Sequence, residues 1–170
     1  MDNKTKQKKE TLSYDEDGGL IFMKNWSPIL RWICILPAAL ITFIAVRLLF
    51  LNPFLNMIEN TSYLLSFYVN VVTSGLVYLA IVDVVSATAP KNRVLVSIVT
   101  AIILGLVVIF STSVSYYVVS DYEAFQNRFE LSLSKTHLIT GLVISFFSNM
   151  LGLFLGVNNT KERQKKSSLR

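Results

Sequence analysis

Residues 94–120 read VLVSIVTAIILGLVVIFSTSVSYYVVS, an apolar stretch without a charged side chain. A helix rises about 1.5 Å per residue, so about 20 residues cross a hydrocarbon core of roughly 30 Å. Backbone groups in lipid must be satisfied internally, and a single chain without a period-2 pattern achieves this with helices. The stretch therefore predicts a transmembrane helix.

Three further apolar stretches have the same character: 29–51, 62–89 and 137–157. Only 16% of the 170 residues are charged, against about 25% in soluble domains. The sequence therefore predicts an all-α, polytopic integral membrane protein with four transmembrane helices in a compact bundle. Since no connection is long enough for a soluble domain, we expect one domain over 27–157. A polar tail over 1–26 precedes it, and a basic tail over 158–170 follows it.

The basic residues predict an orientation. Of the sixteen Lys and Arg residues, all but Arg47, Arg128 and Lys135 lie in the two tails, at the tail-side end of the first span, or in the short loop between the second and third spans. Cytoplasmic segments carry such an excess, so both termini are predicted to be cytoplasmic. The polar start of the chain has no apolar segment typical of a cleaved signal, so the first span is predicted to be an uncleaved anchor. A bacterial plasma (inner) membrane is the expected location.

Prolines mark the expected helix ends. Ser27-Pro28 combines a capping hydroxyl with a proline at the first helical position. Pro37 is expected to kink the first span because it removes one backbone hydrogen bond. Asn52-Pro53 is predicted to end the first span and Pro90 the second.

The segment 121–136 allows two interpretations. Tyr122, Phe125 and Phe129 are spaced three and four residues apart, which is typical of a helix lying at the membrane surface. Alternatively, the third span continues out of the membrane. The sequence leaves both possibilities open.

Small residues predict where the helices pack. Without a hydrophobic drive between helices in lipid, close approach of backbones marks their interfaces. We expect these seams to face the bundle interior, although they can also pack between protomers or line a polar pathway. The predicted seam residues are Ser97, Ala101 and Gly105 in the third span, and Gly141, Ser145, Ser148, Gly152 and Gly156 in the fourth.

Three charged residues lie within the spans: Arg31, Arg47 and Asp83. Such charges need a partner or access to water. Counting from the loop between the first two spans places Arg31 and Asp83 at similar depth, so we predict an ion pair between them. Alternatively, each side chain snorkels separately to the interface. Arg47 is expected to snorkel at the opposite side or to meet Asp121 or Glu123.

Four uncharged polar residues form a candidate polar core or path: Asn70, Thr73, Ser74 and Asn149. A hydrogen bond between the Asn70 and Asn149 amides would join the second and fourth spans. The alternative is that these groups line a conduction path.

The sequence contains no catalytic motif, P-loop or dinucleotide fingerprint. A single cysteine, Cys34, and a single histidine, His137, argue against a His/Cys metal site. We therefore expect no enzymatic activity and no cofactor. The basic tails lack the aromatic context of a nucleic-acid site, so no nucleic-acid partner is expected.

Three functions fit these features. The favoured one is a non-enzymatic accessory, scaffold or assembly subunit that acts through helix packing. The second is a small oligomeric channel or transporter that uses Asn70, Asp83 and Asn149. The third is a membrane-disrupting effector of the holin kind, which rests only on size, spans and a basic tail. Expected partners are membrane lipid, anionic lipid at the basic tails, and further copies of the chain or a larger membrane complex.

Overall fold

A computed structural model describes residues 19–121 and 133–168, and the regular structure in these ranges is helical. Four of its segments are long and apolar enough to cross a membrane, which confirms that part of the prediction. The elements are a short 3-10 helix (Ile21–Met23), α1 (Pro28–Ile33), α2 (Ile35–Ile44), a π-helix (Ala45–Leu51), α3 (Asn52–Glu59), α4 (Tyr63–Thr88), α5 (Arg93–Ser120) and α6 (Lys135–Ser168).

The first span is a chain of short helices rather than one regular helix. The helix is interrupted at Cys34 (ψ −7°), one turn before Pro37, as expected where a proline cannot donate a backbone hydrogen bond. The chain then stays helical past Pro53 to Glu59, where the sequence predicted an end. The wide π-turn that precedes Pro53 explains this, because it absorbs the missing hydrogen bond without ending the helix. The apolar span therefore covers Ile35–Glu59.

α4 is the central helix of the molecule, because the first span, α5 and α6 all pack against it. Its contact with α6 is the most extensive. Gly75 of α4 lies directly opposite Gly152 of α6, and a Cβ added to either would come closer than 3.0 Å to the backbone of the other helix. The two helices therefore meet backbone to backbone at this point.

The first described residues, from Gly19, and the last turns of α6 lie at one end of the molecule, which we call the terminal end. There the Leu20 backbone N–H donates to the Ala87 carbonyl (3.2 Å), and the hydroxyls of Ser86 and Thr160 are hydrogen-bonded (2.8 Å). α6 stays helical through Ser168, so most of the predicted basic tail continues the fourth span as a helix. Likewise, the part of the predicted N-terminal tail that is described, residues 19–26, folds against this end through the buried Met23.

The two connections of α5 differ. The turn from α4 into α5 passes through Asn92, whose φ of 52° lies in the left-handed region that asparagine tolerates. α5 ends at Ser120, and Asp121 has left the helical conformation (φ −92°, ψ 63°). The predicted surface helix with Tyr122, Phe125 and Phe129 lies outside the described residues.

Candidate functional site

Polar side chains from all four spans meet in a cleft with a volume of about 410 Å³. Along α4 its lining residues run from Asn70 to Tyr78, so the centre of the cleft lies near the middle of this 26-residue helix. We call it the Arg47 cleft. The cleft is lined by Phe43 and Arg47 of the first span, Asn70, Val71, Ser74, Val77 and Tyr78 of α4, Ser111 of α5, and Ser145 and Asn149 of α6.

Arg47 is the only charged residue among those lining the cleft. Its Nη1 donates a hydrogen bond to Oδ1 of Asn70 at 2.9 Å. Within the described ranges, no carboxylate lies at ion-pair distance from this guanidinium, and the predicted contact with Asp121 is not formed. The other predicted partner, Glu123, lies outside those ranges. Among the residues that the structure describes, the partner of this half-buried cation is therefore a neutral amide.

The backbone that carries Arg47 is unusual. Arg47 lies in the π-helix Ala45–Leu51, where the Asn52 N–H bonds to the Arg47 carbonyl five residues back. Such wide turns are rare, and they are often found at functional sites because they re-aim a side chain. The position of the π-helix thus agrees with the polar character of the cleft.

A second set of hydrogen bonds crosses the cleft between α4 and α6. Ser74 Oγ donates to Oδ1 of Asn149 at 2.6 Å, and Nδ2 of Asn149 donates to Ser145 Oγ at 3.3 Å. The predicted bond between Asn70 and Asn149 is not formed: Asn70 accepts from Arg47, and Asn149 bonds to Ser74 and Ser145. The second and fourth spans are nevertheless joined through Asn149, with Ser74 as its partner.

Thr73 does not belong to the cleft, although it was predicted alongside Ser74. Its hydroxyl donates to the Val69 carbonyl of its own helix at 2.7 Å. This local bond satisfies the hydroxyl within α4. Thr73 is therefore a useful polar control residue next to the site.

The small residues of α6 pack against α4 within the chain. Beside Gly152, Ser148 Oγ donates to the Val72 carbonyl. A Cβ on Gly141 would overlap the Phe67 ring, and one on Gly156 would overlap Val82. The α6 seam is therefore used in the packing of this chain rather than left open for a partner.

The small residues of α5 are used less uniformly. Ser97 is fully buried and donates to the Val94 carbonyl of its own helix. Ala101 and Gly105 line a groove between α5 and α6. A Cβ on Gly105 would meet only Leu153, at an ordinary distance of 3.8 Å.

The predicted ion pair between Arg31 and Asp83 is not formed, and each side chain binds a different partner. Arg31 is 7% exposed, and its guanidinium donates to the carbonyls of Ala87, Thr88 and Ala89 at 3.0–3.2 Å. The count of residues from the loop therefore places Arg31 within about one turn of Asp83. Such a count does not reveal that the unpaired carbonyls at the end of α4 accept hydrogen bonds from the Arg31 guanidinium.

Asp83 forms an ion pair with Arg163 of α6, with an N–O distance of 2.5 Å. The Arg163 Nη2 also lies 3.4 Å from the hydroxyls of Ser86 and Thr160. Asp83 lies at the terminal end and does not line the Arg47 cleft. Its role is to hold the extended end of α6 against α4.

The Asp83–Arg163 pair is expected to stabilise the protein by a coupling free energy of about 1–2 kcal/mol, since both side chains are about four-fifths buried (19% and 20% exposed) and the bond is charge-assisted. A double-mutant cycle with Asp83→Asn and Arg163→Gln, read by chemical unfolding in detergent, measures this coupling. Additive single effects, within about 0.5 kcal/mol, would contradict the pairing.

Comparison with known proteins gives no family: the chain matches no protein-family model, and no curated protein or solved structure is significantly similar to it.

Proposed function

We propose that this chain is a non-enzymatic integral membrane protein that binds, and in its simplest use transports, a small organic anion in the Arg47 cleft. The observation that carries this proposal is a cation at membrane depth that faces a polar cleft and whose partner among the described residues is a neutral amide. Charges within spans are costly, and they commonly mark substrate or ion pathways.

The lining of the cleft indicates the kind of anion. A guanidinium has five N–H donors in a planar fork that matches a carboxylate or phosphate, and Asn70 takes one of these donors. Phe43, Val71 and Val77 add apolar walls. An anion with an apolar part, such as a medium-chain carboxylate, fits both features.

The membrane arrangement belongs to the same proposal. We infer a four-helix bundle with both termini cytoplasmic, in a bacterial plasma membrane. The common position of residues 19–26 and the last turns of α6 at the terminal end, and the basic residues in these segments, support this orientation. In this orientation the Arg47 cleft lies near the middle of the membrane, since Arg47 is the middle residue of the span Ile35–Glu59.

The experiment measures binding of octanoate by isothermal titration to the purified protein in phosphatidylcholine nanodiscs. Octanoate is expected to bind, whereas the neutral octanol and the cationic octylamine are not. Arg47→Gln is expected to weaken octanoate binding at least tenfold, because a hydrogen bond to a charged group contributes about 1.5–3 kcal/mol. Arg47→Lys keeps the positive charge but lacks the planar set of guanidinium donors, so it should retain part of the affinity for octanoate.

Thr73→Val is the matched control. It removes a hydroxyl one residue from Ser74 that does not line the cleft, so octanoate affinity should stay at the wild-type value. Equal affinities of octanoate and octanol, or full affinity in Arg47→Gln, would overturn the proposal. Uptake of octanoate into proteoliposomes then separates transport from binding alone.

An accessory role remains a second candidate because α5 exposes a broad apolar surface. Its exposed large residues include Ile102, Ile103, Leu106 and Phe110. In a membrane this surface faces lipid or the helix of another protein. Purification in mild detergent distinguishes the two: a stoichiometric partner that is lost on Leu106→Asn would favour the accessory role.

A further inference from the structure

A narrow groove runs along the interface between α5 and α6 in the half of the molecule near the terminal end. Ile98, Ala101 and Gly105 form its α5 side at helical spacing, and Phe154, Val157 and Lys161 belong to its α6 side. The groove has a volume of about 300 Å³. Except at its terminal end, its walls are apolar.

The length of the groove matches a single hydrocarbon chain in one leaflet. Its α6 side extends from Met150 to Lys161, which is about 16 Å along the helix axis and about half of a hydrocarbon core of roughly 30 Å. The groove is therefore about one leaflet deep.

Charge distinguishes the two ends of the groove. At the terminal end, Lys161 and Asn158 complete its lining, where the headgroup of a lipid in that leaflet would lie. The continuation of the α5–α6 surface toward the other end is lined by Thr112, Ser113 and Tyr116 among apolar residues, without a cation. Among the described residues that line these two stretches of the surface, the one basic side chain is Lys161, near the terminal end.

We propose that this groove binds one acyl chain of an anionic phospholipid, whose phosphate-bearing headgroup is held by Lys161 and Asn158. The side chain of Lys161 is solvent-exposed and can reach the headgroup layer while its methylene stem covers the groove. The inference is independent of anion binding in the Arg47 cleft. The two can fail separately, since no residue lines both.

The test uses native mass spectrometry of the purified full chain with equal amounts of phosphatidylglycerol and phosphatidylcholine. The wild-type protein is expected to retain phosphatidylglycerol preferentially. Lys161→Gln is expected to lower that preference about fivefold, since one basic residue near an anionic lipid has an effect of this size. Lys166→Gln, an exposed lysine on the same helix outside the groove, is the matched control and should lower it much less.

A groove-filling variant tests the acyl chain separately from the charge. Gly105→Leu places a side chain in the groove near Leu153, and it is expected to reduce retention of both lipids. Because Lys161 is exposed, Lys161→Gln should fold as the wild type does. The comparison of the two lysine variants therefore tests the headgroup contact even if Gly105→Leu is unstable. Equal effects of Lys161→Gln and Lys166→Gln would overturn the proposal, as would full lipid retention by a folded Gly105→Leu protein.

Discussion

Gly152→Ala is expected to destabilise the protein by about 1–3 kcal/mol or more, whereas Gly105→Ala leaves its stability nearly unchanged. A Cβ on Gly152 would come closer than 3.0 Å to the Gly75 backbone, and no side-chain rotation can relieve this clash. The helices α4 and α6 must therefore separate, and overpacking of this kind has a cost of that size. Unfolding in increasing sodium dodecyl sulfate, followed by circular dichroism, measures the difference.

The matched glycine makes this comparison specific to the helix contact. Gly105 also lies within a span, and alanine there meets only Leu153 at 3.8 Å, so both variants gain the same helix propensity. Gly75→Ala should resemble Gly152→Ala because the same two backbones meet. Equal stability of Gly152→Ala and Gly105→Ala would show that α4 and α6 do not approach each other as closely as described.

The second large effect is expected for Arg31→Gln, which should lower stability by about 3 kcal/mol or more. The Arg31 guanidinium donates to three carbonyls at the end of α4, and hydrogen bonds to a charged group contribute about 1.5–3 kcal/mol each. A cation at this position also interacts favourably with the partial negative charge at the C-terminus of α4. Its loss removes the Arg31 donor from the Thr88 carbonyl, whereas the Ala87 and Ala89 carbonyls each keep one other donor, the Leu20 N–H and Nε of Arg93.

Hydrogen exchange locates this effect. The Leu20 amide bonds to the Ala87 carbonyl, so its exchange should accelerate in Arg31→Gln as the end of α4 loosens. Lys24→Gln removes a charge from an exposed position nearby and should change neither exchange nor stability. If Arg31→Gln is as stable as Lys24→Gln, the carbonyl contacts do not hold the N-terminal segment in place.

The number of spans could be predicted from the sequence because length and hydropathy alone decide it. The four stretches are apolar over more than about 20 residues, and lipid leaves the backbone little choice besides a helix. Small residues at four-residue spacing also indicated which face of α6 packs, since Gly152 and Gly156 do meet α4. These signals depend on residues that are close together in the chain, so they can be recognised in a single sequence.

The candidate site depended on information that the sequence does not carry locally. Arg163 was assigned to a tail, because the hydropathy of the fourth span falls before the helix ends, and so the partner of Asp83 was missed. Tyr78 and Ser111 were missed because only the rotation of α4 and α5 about their axes brings them to the cleft. The π-helix at Arg47 had one signal, Pro53, which was interpreted as the end of the span.

The π-helix also corrects the phase of the first span. Its residues that pack in the apolar core are Ile35, Ala39, Val46, Leu51 and Leu55, and the step from Val46 to Leu51 is the one that matches a five-residue turn. In an uninterrupted α-helix, Phe50 would take the core position instead of Leu51, yet Phe50 is 70% exposed. The extra residue in the π-helix thus keeps the apolar face of the first span turned toward α4 along its whole length. Arg47 lies within this π-helix, directly after Val46.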